Sequence, residues 1–373
     1  MGTKAALRFL LILFFCLING SVRLAIAEVL IGIAAPFTGQ TFYTGEQVLY
    51  GVEEAVAELN EAGGVAGHRI SITTADDACD AEQALAAAEK LVSEGVVLVI
   101  GHVCSGASIP AAQIYSRARI PMISPASTSA QLTESGSPYV FRVVGRDDNQ
   151  GVAAGNFLAD HFGTRAIAVL HDNQTYGRGL AEETLKQLHR RNISEVLYEG
   201  FTNGEHDYGR LVDNLSKAKT EVVYIGSYVT EAALIIRQAR EQGLDLQLVA
   251  GDGLSSDEFW LIAGPAGNGA LFTFPADPRK LAAARAVVER FRAQGFEPEG
   301  YTLHAFAAVQ AWAQATQTAG SFESDRVAKA LHADVFTTVL GEISFNEKGD
   351  INEAGFSWHR WQDGEYAPLD EPR

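Results

Sequence analysis

Small, hydroxyl-bearing, aromatic and acidic residues come directly after several predicted strands of this sequence. They are Ser105, Ala126 and Thr128 in the N-terminal half and Asp172, Tyr176, Tyr228 and Asp252 further along the chain. In open α/β sheets, ligands bind beyond the carboxyl ends of the strands. The sequence therefore predicts one binding site, in which hydroxyls and helix N-termini face tyrosines and a carboxylate.

Such a set of groups suits a zwitterion. Helix N-termini that carry Ser or Thr offer N–H and O–H donors to a carboxylate. A carboxylate on the opposite side can neutralise an ammonium group, and aromatic rings can wall an apolar side chain. Ordinary helix capping explains any single Ser or Thr equally well, so the prediction depends on several strand ends carrying compatible groups together.

Other patterns lead to no catalytic or metal site. The glycines of segment 63–67 follow a helix rather than a strand, which indicates a turn and not a dinucleotide-binding loop. The acids Asp76, Asp77 and Asp80 lack EF-hand spacing and are interpreted as a solvated turn. His102 ends a strand and is expected to be structural, and the nine histidines show no metal-binding spacing. We expect no enzyme activity, no metal and no cofactor.

The N-terminus has the pattern of a secretory signal peptide. Lys4 and Arg8 precede an apolar run over 9–19, and Ala25 and Ala27 give the small residues that signal peptidase requires. Segment 1–27 is therefore predicted to be removed near Ala27, which places the mature protein in the periplasm. Lipidation at Cys16 is the alternative, but two bulky phenylalanines precede that cysteine.

The remaining 346 of 373 residues exceed what one hydrophobic core usually organises, so two domains are expected. Removal of three basic residues with the signal takes the net charge from −17 to −20. Such an acidic chain without a basic run is not expected to bind nucleic acid or anionic lipid.

Two cysteines, Cys79 and Cys104, remain after processing. An even pair in an exported chain usually forms one disulfide. The alternative is a catalytic or metal-binding thiol, but neither cysteine lies in a CxxC pattern.

Short β-branched runs alternate with helical stretches along the chain. Strands are predicted at 28–34, 68–73, 96–101, 120–124, 165–171, 194–198, 221–226, 247–251 and 270–274. Helices are predicted at 46–59, 83–92, 180–188 and 231–242. This alternation predicts parallel sheets covered by helices on both faces. A strand that runs into a turn before a helix occurs at 29–39 and again at 166–177, which indicates two similar lobes.

Six segments resemble one known family. They are 76–80 (DDACD), 100–105 (IGHVCS), 124–128 (SPAST), 171–177 (HDNQTYG), 224–228 (YIGSY) and 346–350 (NEKGD). In this order they are similar to the leucine/isoleucine/valine-binding proteins, the periplasmic receptors of branched-chain amino acid ABC transporters. The resemblance implies an α/β type I periplasmic binding protein with two Rossmann-like lobes joined by three hinge crossovers. The first lobe is expected to comprise 28–147 and 275–352, and the second 148–274 and 353–373.

The resemblance also implies residue roles. Ser105 and Thr128 would bind the ligand carboxylate, and the backbone carbonyl of Ala126 would accept from the ammonium. Asp252 would pair with the ammonium. Tyr228 would lie beside it and Tyr176 would stack from the second lobe. Asp172 would belong to a structural His–Asp pair, and the two cysteines match the family's disulfide.

Two positions depart from the family pattern. Asp252 stands where a longer Glu is usual, and Thr44 aligns with an aromatic residue of the side-chain pocket. Tyr43 and Tyr301 are expected to contribute to that pocket instead. We predict a monomer that binds a small, branched-chain amino acid and delivers it to the membrane permease of an ABC transporter. An amide, urea or aromatic acid as ligand, and a sensory receptor as partner, remain the alternatives.

Overall fold

The computed structural model describes residues 28–352 and 355–369. The predicted signal peptide, Cys16 and the cleavage position near Ala27 lie outside the described residues. Within the described part of the chain, no helix is long and apolar enough to cross a membrane.

The first lobe contains a five-stranded sheet in which all neighbouring strands are parallel. The strands are β1 (Glu28–Ala35), β2 (Arg69–Asp76), β3 (Val99–Gly101), β4 (Met122–Ser124) and β5 (Val140–Arg142), in the order β2-β1-β3-β4-β5. Helices α1 (Phe42–Glu61), α2 (Ala81–Glu94), α3 (Ser105–Ala118) and α4 (Gln131–Glu134) connect them. β3 and β4 are fully buried because helices cover both faces of the sheet.

The second lobe contains a seven-stranded sheet in the order β14-β13-β10-β9-β8-β6-β7. The strands are β6 (Ile167–His171), β7 (Leu197–Gly200), β8 (Val222–Gly226), β9 (Gln247–Ala250), β10 (Leu271–Phe274), β13 (Ser357–Gln362) and β14 (Glu365–Pro368). Its helices are α5 (Asp147–Phe162), α6 (Thr175–Arg190), α7 (Gly209–Lys217), α8 (Val229–Glu241) and α9 (Glu258–Ala263).

Two strands of this sheet contradict the expectation of purely parallel pairing. β13 runs antiparallel to β10, and β14 runs antiparallel to β13. Asp363 and Gly364 connect β13 to β14 with positive φ angles of 52° and 94°. This Asp-Gly pair is the sequence signal of a tight hairpin, which forces antiparallel pairing.

The chain passes between the lobes three times, after β5, after β10 and before β13. The intervening helices α10 (Arg285–Ala293), α11 (Thr302–Ala319) and α12 (Ser324–Ala333) precede and flank a small hairpin, β11 (Phe336–Thr338) with β12 (Gly341–Ile343). α11 packs on α1 so closely that a Cβ at Gly51 would lie 2.2 Å from the Thr302 carbonyl oxygen. The expected two-lobed α/β architecture with three crossovers is confirmed.

The acidic segment after β2 is not the solvated turn that the sequence indicated. Asp77 is fully buried, and its Oδ2 lies 2.6 Å from His102 Nδ1. The other ring nitrogen of His102 lies 3.0 Å from the Tyr115 hydroxyl, which confirms that His102 is structural. Asp80 caps α2 by accepting from the backbone N–H groups of Glu82 and Gln83. Asp77 and Asp80 therefore order this segment, Asp77 from a buried position and Asp80 from an exposed one.

Cys79 and Cys104 form the expected disulfide, with their Cα atoms 5.4 Å apart. The bridge joins the segment after β2 to the start of α3, so it holds Ser105 next to the carboxyl end of β3.

We predict that the Cys79→Ala/Cys104→Ala variant loses about 3 kcal/mol in free energy of unfolding, because the bridge closes a loop between residues 25 apart. Urea denaturation followed by circular dichroism measures this loss. Wild-type protein kept under reducing conditions should show the same decrease. Equal midpoints for the oxidised, reduced and substituted proteins would contradict the prediction.

Candidate ligand-binding site

A cavity with about 450 Å³ of space not filled by protein atoms lies between the two lobes. Eight of the nine residues that the sequence analysis assigned to a ligand site line it: Thr44, Ser105, Ala126, Thr128, Tyr176, Tyr228, Asp252 and Tyr301. Tyr43 does not line it. Its neighbour Thr44 faces the cavity, whereas Tyr43 is 46% exposed because adjacent helical residues point in different directions.

Hydroxyls and backbone groups of the first lobe form one end of the cavity. Ser105 begins α3 directly after the disulfide, and its hydroxyl accepts from the backbone N–H of Ser129 at 3.2 Å. The hydroxyl of Thr128 is buried, and the Asp147 carboxyl group lies beside it. The described residues that line this end of the cavity are uncharged, so they offer neutral donors.

Arg142 holds the loop that carries Ala126 and Thr128. Its guanidinium donates to the backbone carbonyl oxygens of Ser127 and Ser129 at 3.0 and 2.8 Å. Its Nε donates to Asp350 at 2.7 Å, and both side chains are buried. Arg142 thus supports the back of the loop and does not face the cavity.

The buried Asp252 carboxylate forms the opposite end. Its Oδ1 accepts from the Tyr176 hydroxyl at 2.7 Å and from Gln150 Nε2 at 2.9 Å. Its Oδ2 accepts from the hydroxyl of Tyr301. Burial raises the pKa of Asp252, and the hydrogen bonds from Tyr301, Tyr176 and Gln150 oppose this rise because they stabilise the ionised form.

Aromatic rings wall the cavity beside Asp252. The rings of Tyr176 and Tyr228 lie 5.0 Å apart, and those of Phe274 and Tyr301 lie 5.4 Å apart. The Tyr228 hydroxyl lies near the backbone N–H of Ser105 in the other lobe, and this contact opposes the rise that burial causes in the pKa of Tyr228. Burial and the nearby Asp252 raise the pKa values of Tyr176 and Tyr301, so both phenols stay protonated and can donate.

Two functional candidates on α5 were missed by the sequence analysis. Gln150 holds Asp252, and Asp147 is buried with the Thr128 side chain beside its carboxyl group. Burial, together with the negative charge of Asp252, raises the pKa of Asp147. The sequence analysis placed a boundary between the two lobes at 147 and 148 and gave no residue there a role in the site. One signal was available in the sequence: an acidic residue, Asp147, stands where the first crossover leads into a helix.

The assignment of Asp172 to a structural His–Asp pair is wrong. Its Oδ1 accepts from the backbone N–H of Gln174 at 2.9 Å, and the buried Oδ2 has no partner among the described residues. The His–Asp pair of this protein is His102 with Asp77. Burial raises the pKa of Asp172 to about 7, and the residue lies outside the lining of the cavity.

Comparisons with known proteins agree on one family. The family model described as periplasmic binding protein matches residues 28–365. A Leu/Ile/Val-binding protein homolog from Brucella suis is 47% identical over 339 residues, covering 91% of each chain. The crystal structure of a leucine-binding protein from Thermotoga maritima is 28% identical, with a TM-score of 0.85 over 91% of this chain and 97% of that one. A branched-chain amino acid transporter substrate-binding protein from Streptococcus pneumoniae, crystallised with isoleucine, is 25% identical, with a TM-score of 0.82 over 91% and 98%.

We predict that Tyr176→Phe raises the pKa of Asp252 further, because the phenol hydrogen bond that stabilises the ionised carboxylate is lost. Carbon NMR titration of labelled aspartate carboxyl groups in the ligand-free protein measures the change. Tyr198→Phe, at a ring 38% exposed on the surface, is the control. An unchanged Asp252 titration in Tyr176→Phe would show that the phenol does not stabilise the carboxylate.

Proposed function

Because this chain belongs to the periplasmic binding protein family, in its branch of Leu/Ile/Val-binding proteins, we propose that it binds a branched-chain amino acid in the interlobe cavity and delivers it to the membrane permease of an ABC transporter. It is a solute-binding protein and not an enzyme. The observation that carries the choice of ligand is the buried Asp252, which lies across the cavity from neutral hydroxyl donors.

The first lobe binds the ligand carboxylate in this proposal. Ser105 begins α3, where the helix dipole favours an anion. The Thr128 hydroxyl is buried beside the Asp147 carboxyl group and can turn from it to donate to a ligand oxygen. The carbonyl of Ala126, in the same loop, accepts from the ligand ammonium.

The ammonium binds to Asp252. The hydrogen-bond partners of this carboxylate are all neutral, so its negative charge is available to a cationic ligand group. Closure of the cleft buries the resulting ion pair. Removing one charge of a buried pair costs more binding free energy than removing one charge of an exposed pair. Tyr176 and Tyr228 lie beside the ammonium and exclude water from it.

Ligand binding closes the two lobes over the three crossovers. In the present conformation the cleft is bridged by the Tyr228 contact with Ser105 and by the Thr230 hydroxyl, which lies 3.5 Å from the Gln40 carbonyl oxygen. Hinge closure of this kind gives a partner two distinguishable shapes. We propose that the permease recognises the closed monomer in the periplasm, after removal of segment 1–27.

The first test measures binding directly. Leucine, isoleucine or valine at a hundred times its dissociation constant should stabilise the protein by about 2.7 kcal/mol in a thermal-shift assay. Asp252→Asn should weaken binding roughly thirtyfold to several thousandfold in calorimetry, because removing one charge of a buried pair costs about 2–5 kcal/mol. Asp252→Glu should lose far less, since it keeps the charge.

Asp245→Asn is the matched control, because the Asp245 side chain is fully exposed. If Asp252→Asn bound amino acids as tightly as the control, the ligand would not be held through its ammonium. An amide or an aromatic acid would then replace the amino acid as the proposed ligand.

The carboxylate end has its own test. Ser105→Ala should weaken amino acid binding by about 1.5–3 kcal/mol, the value of a hydrogen bond to a charged group. Amino acid methyl esters should bind to wild-type protein more weakly than the free acids. Equal affinities for ester and acid would contradict a carboxylate-binding role for Ser105 and Thr128.

A further inference from the structure

Part of the cavity lining is more polar than an aliphatic ligand side chain requires. The proposed function uses Ser105, Ala126 and Thr128 at one end and Asp252 with its tyrosines at the other. The remaining lining residues, which are left for the ligand side chain, are Thr41, Thr44, Val103, Val229, Ser255 and Ser256, with Gly253 contributing backbone only. Four of these six carry a hydroxyl and two are aliphatic.

Two of the four hydroxyls are free to bind a ligand. Thr44 and Ser255 make no side-chain hydrogen bond to any described residue. The other two already have a contact inside the protein: the Ser256 hydroxyl accepts from the backbone N–H of Glu258 at 3.3 Å, and the Thr41 hydroxyl lies 3.9 Å from the disulfide sulfur of Cys104.

Backbone hydrogen bonds fix the main-chain positions from which both free hydroxyls extend. Ser255 is 4% exposed and follows the short 3-10 turn Asp252–Leu254, where its N–H donates to the Asp252 carbonyl oxygen at 3.1 Å. Thr44 lies in the first turn of α1, and its N–H donates to the Thr41 carbonyl oxygen at 3.1 Å. They belong to opposite lobes, so they face one cavity only when the lobes are together.

Closing such hydroxyls against an aliphatic side chain is unfavourable, because they lose water and gain no partner. A ligand that carries its own hydroxyl supplies the missing partner. A site that hydrogen-bonds a ligand hydroxyl rejects the analogue that lacks it, whereas an apolar pocket distinguishes such isosteres poorly.

We propose that Thr44 and Ser255 are specificity-determining residues that hydrogen-bond a β-hydroxyl, so that the protein binds L-threonine more tightly than the isosteric L-valine. This inference rests on the proposed amino acid function. The two amino acids have nearly the same shape, so shape complementarity does not separate them. Their difference in affinity therefore measures the contribution of the hydroxyl.

Calorimetry of the full mature protein with L-threonine, L-valine and L-isoleucine tests the inference. Wild-type protein should bind threonine about tenfold more tightly than valine, the effect of one or two neutral hydrogen bonds. In the Thr44→Val/Ser255→Ala variant the ratio should fall to one or below, with valine affinity retained or increased. Retained valine binding also shows that the variant is folded.

The possible results separate the two claims. Equal or tighter binding of valine by wild-type protein overturns the inference alone, and it is the result expected if a trapped water satisfies both hydroxyls. A threonine preference that persists in the double variant also overturns the assignment to Thr44 and Ser255. If none of the three amino acids binds, the proposed function fails and the inference fails with it.

Discussion

A buried carboxylate whose partners are neutral is the constraint around which the site is organised. Asp252 is 2% exposed and forms no salt bridge with any described residue. Moving a carboxylate out of water costs several kcal/mol, and each hydrogen bond to it returns about 1.5–3 kcal/mol. The hydrogen bonds from two tyrosines and Gln150 therefore offset part of the cost of burying the carboxylate, but they provide no counter-ion. A cationic ligand group completes the site, and in its absence opening of the lobes would restore water to Asp252.

The end of the site that is proposed to bind the ligand carboxylate depends on a network of ion pairs. This network includes residues at or near two of the three crossovers. Asp350, close to the third crossover, pairs with Arg142 and with Arg146, which lies in the first crossover. Arg142 in turn holds the loop of Ala126 and Thr128. A buried salt bridge stabilises a fold only modestly, and removal of one partner is costly because it leaves the other charge unpaired. The network thus fixes the carboxylate-binding loop relative to the segments about which the lobes move.

Much of the fold follows from the sequence because strand and helix periods are local signals. All nine predicted strands exist, and the segments that follow them bring seven of the eight site residues to one cavity; the eighth, Tyr301, precedes α11. The short strands β5, β11 and β12 and the hairpin of β13 and β14 were missed. The first three are three residues long each and carry too little pattern to recognise. The hairpin of β13 and β14 had a signal in its Asp-Gly turn, which predicts antiparallel pairing even in a chain dominated by parallel strands.

Long-range partners could not be derived in the same way. Asp77 has the composition of a surface acid, and it is buried only because His102, 25 residues later, meets it across the sheet edge. Gln150 is an ordinary helical residue until α5 is placed beside the loop of Asp252. The charge state and role of such side chains are set by tertiary contacts. These contacts leave no periodic pattern or fixed spacing in the sequence. Sequence reasoning is therefore strongest for residues at strand ends and weakest for the residues that hold them.

The short side chain of Asp252 also defines how the ligand can be held. An ionised carboxylate offers about four acceptor positions, and three of them are occupied by Tyr176, Gln150 and Tyr301. One position remains for the ammonium, which has three hydrogens to donate. The other two ammonium hydrogens need acceptors elsewhere. The backbone carbonyl of Ala126, in the opposite lobe, is the proposed acceptor for one of them. An ammonium bound in this way links the lobes directly, so ligand affinity and closure depend on the same few hydrogen bonds.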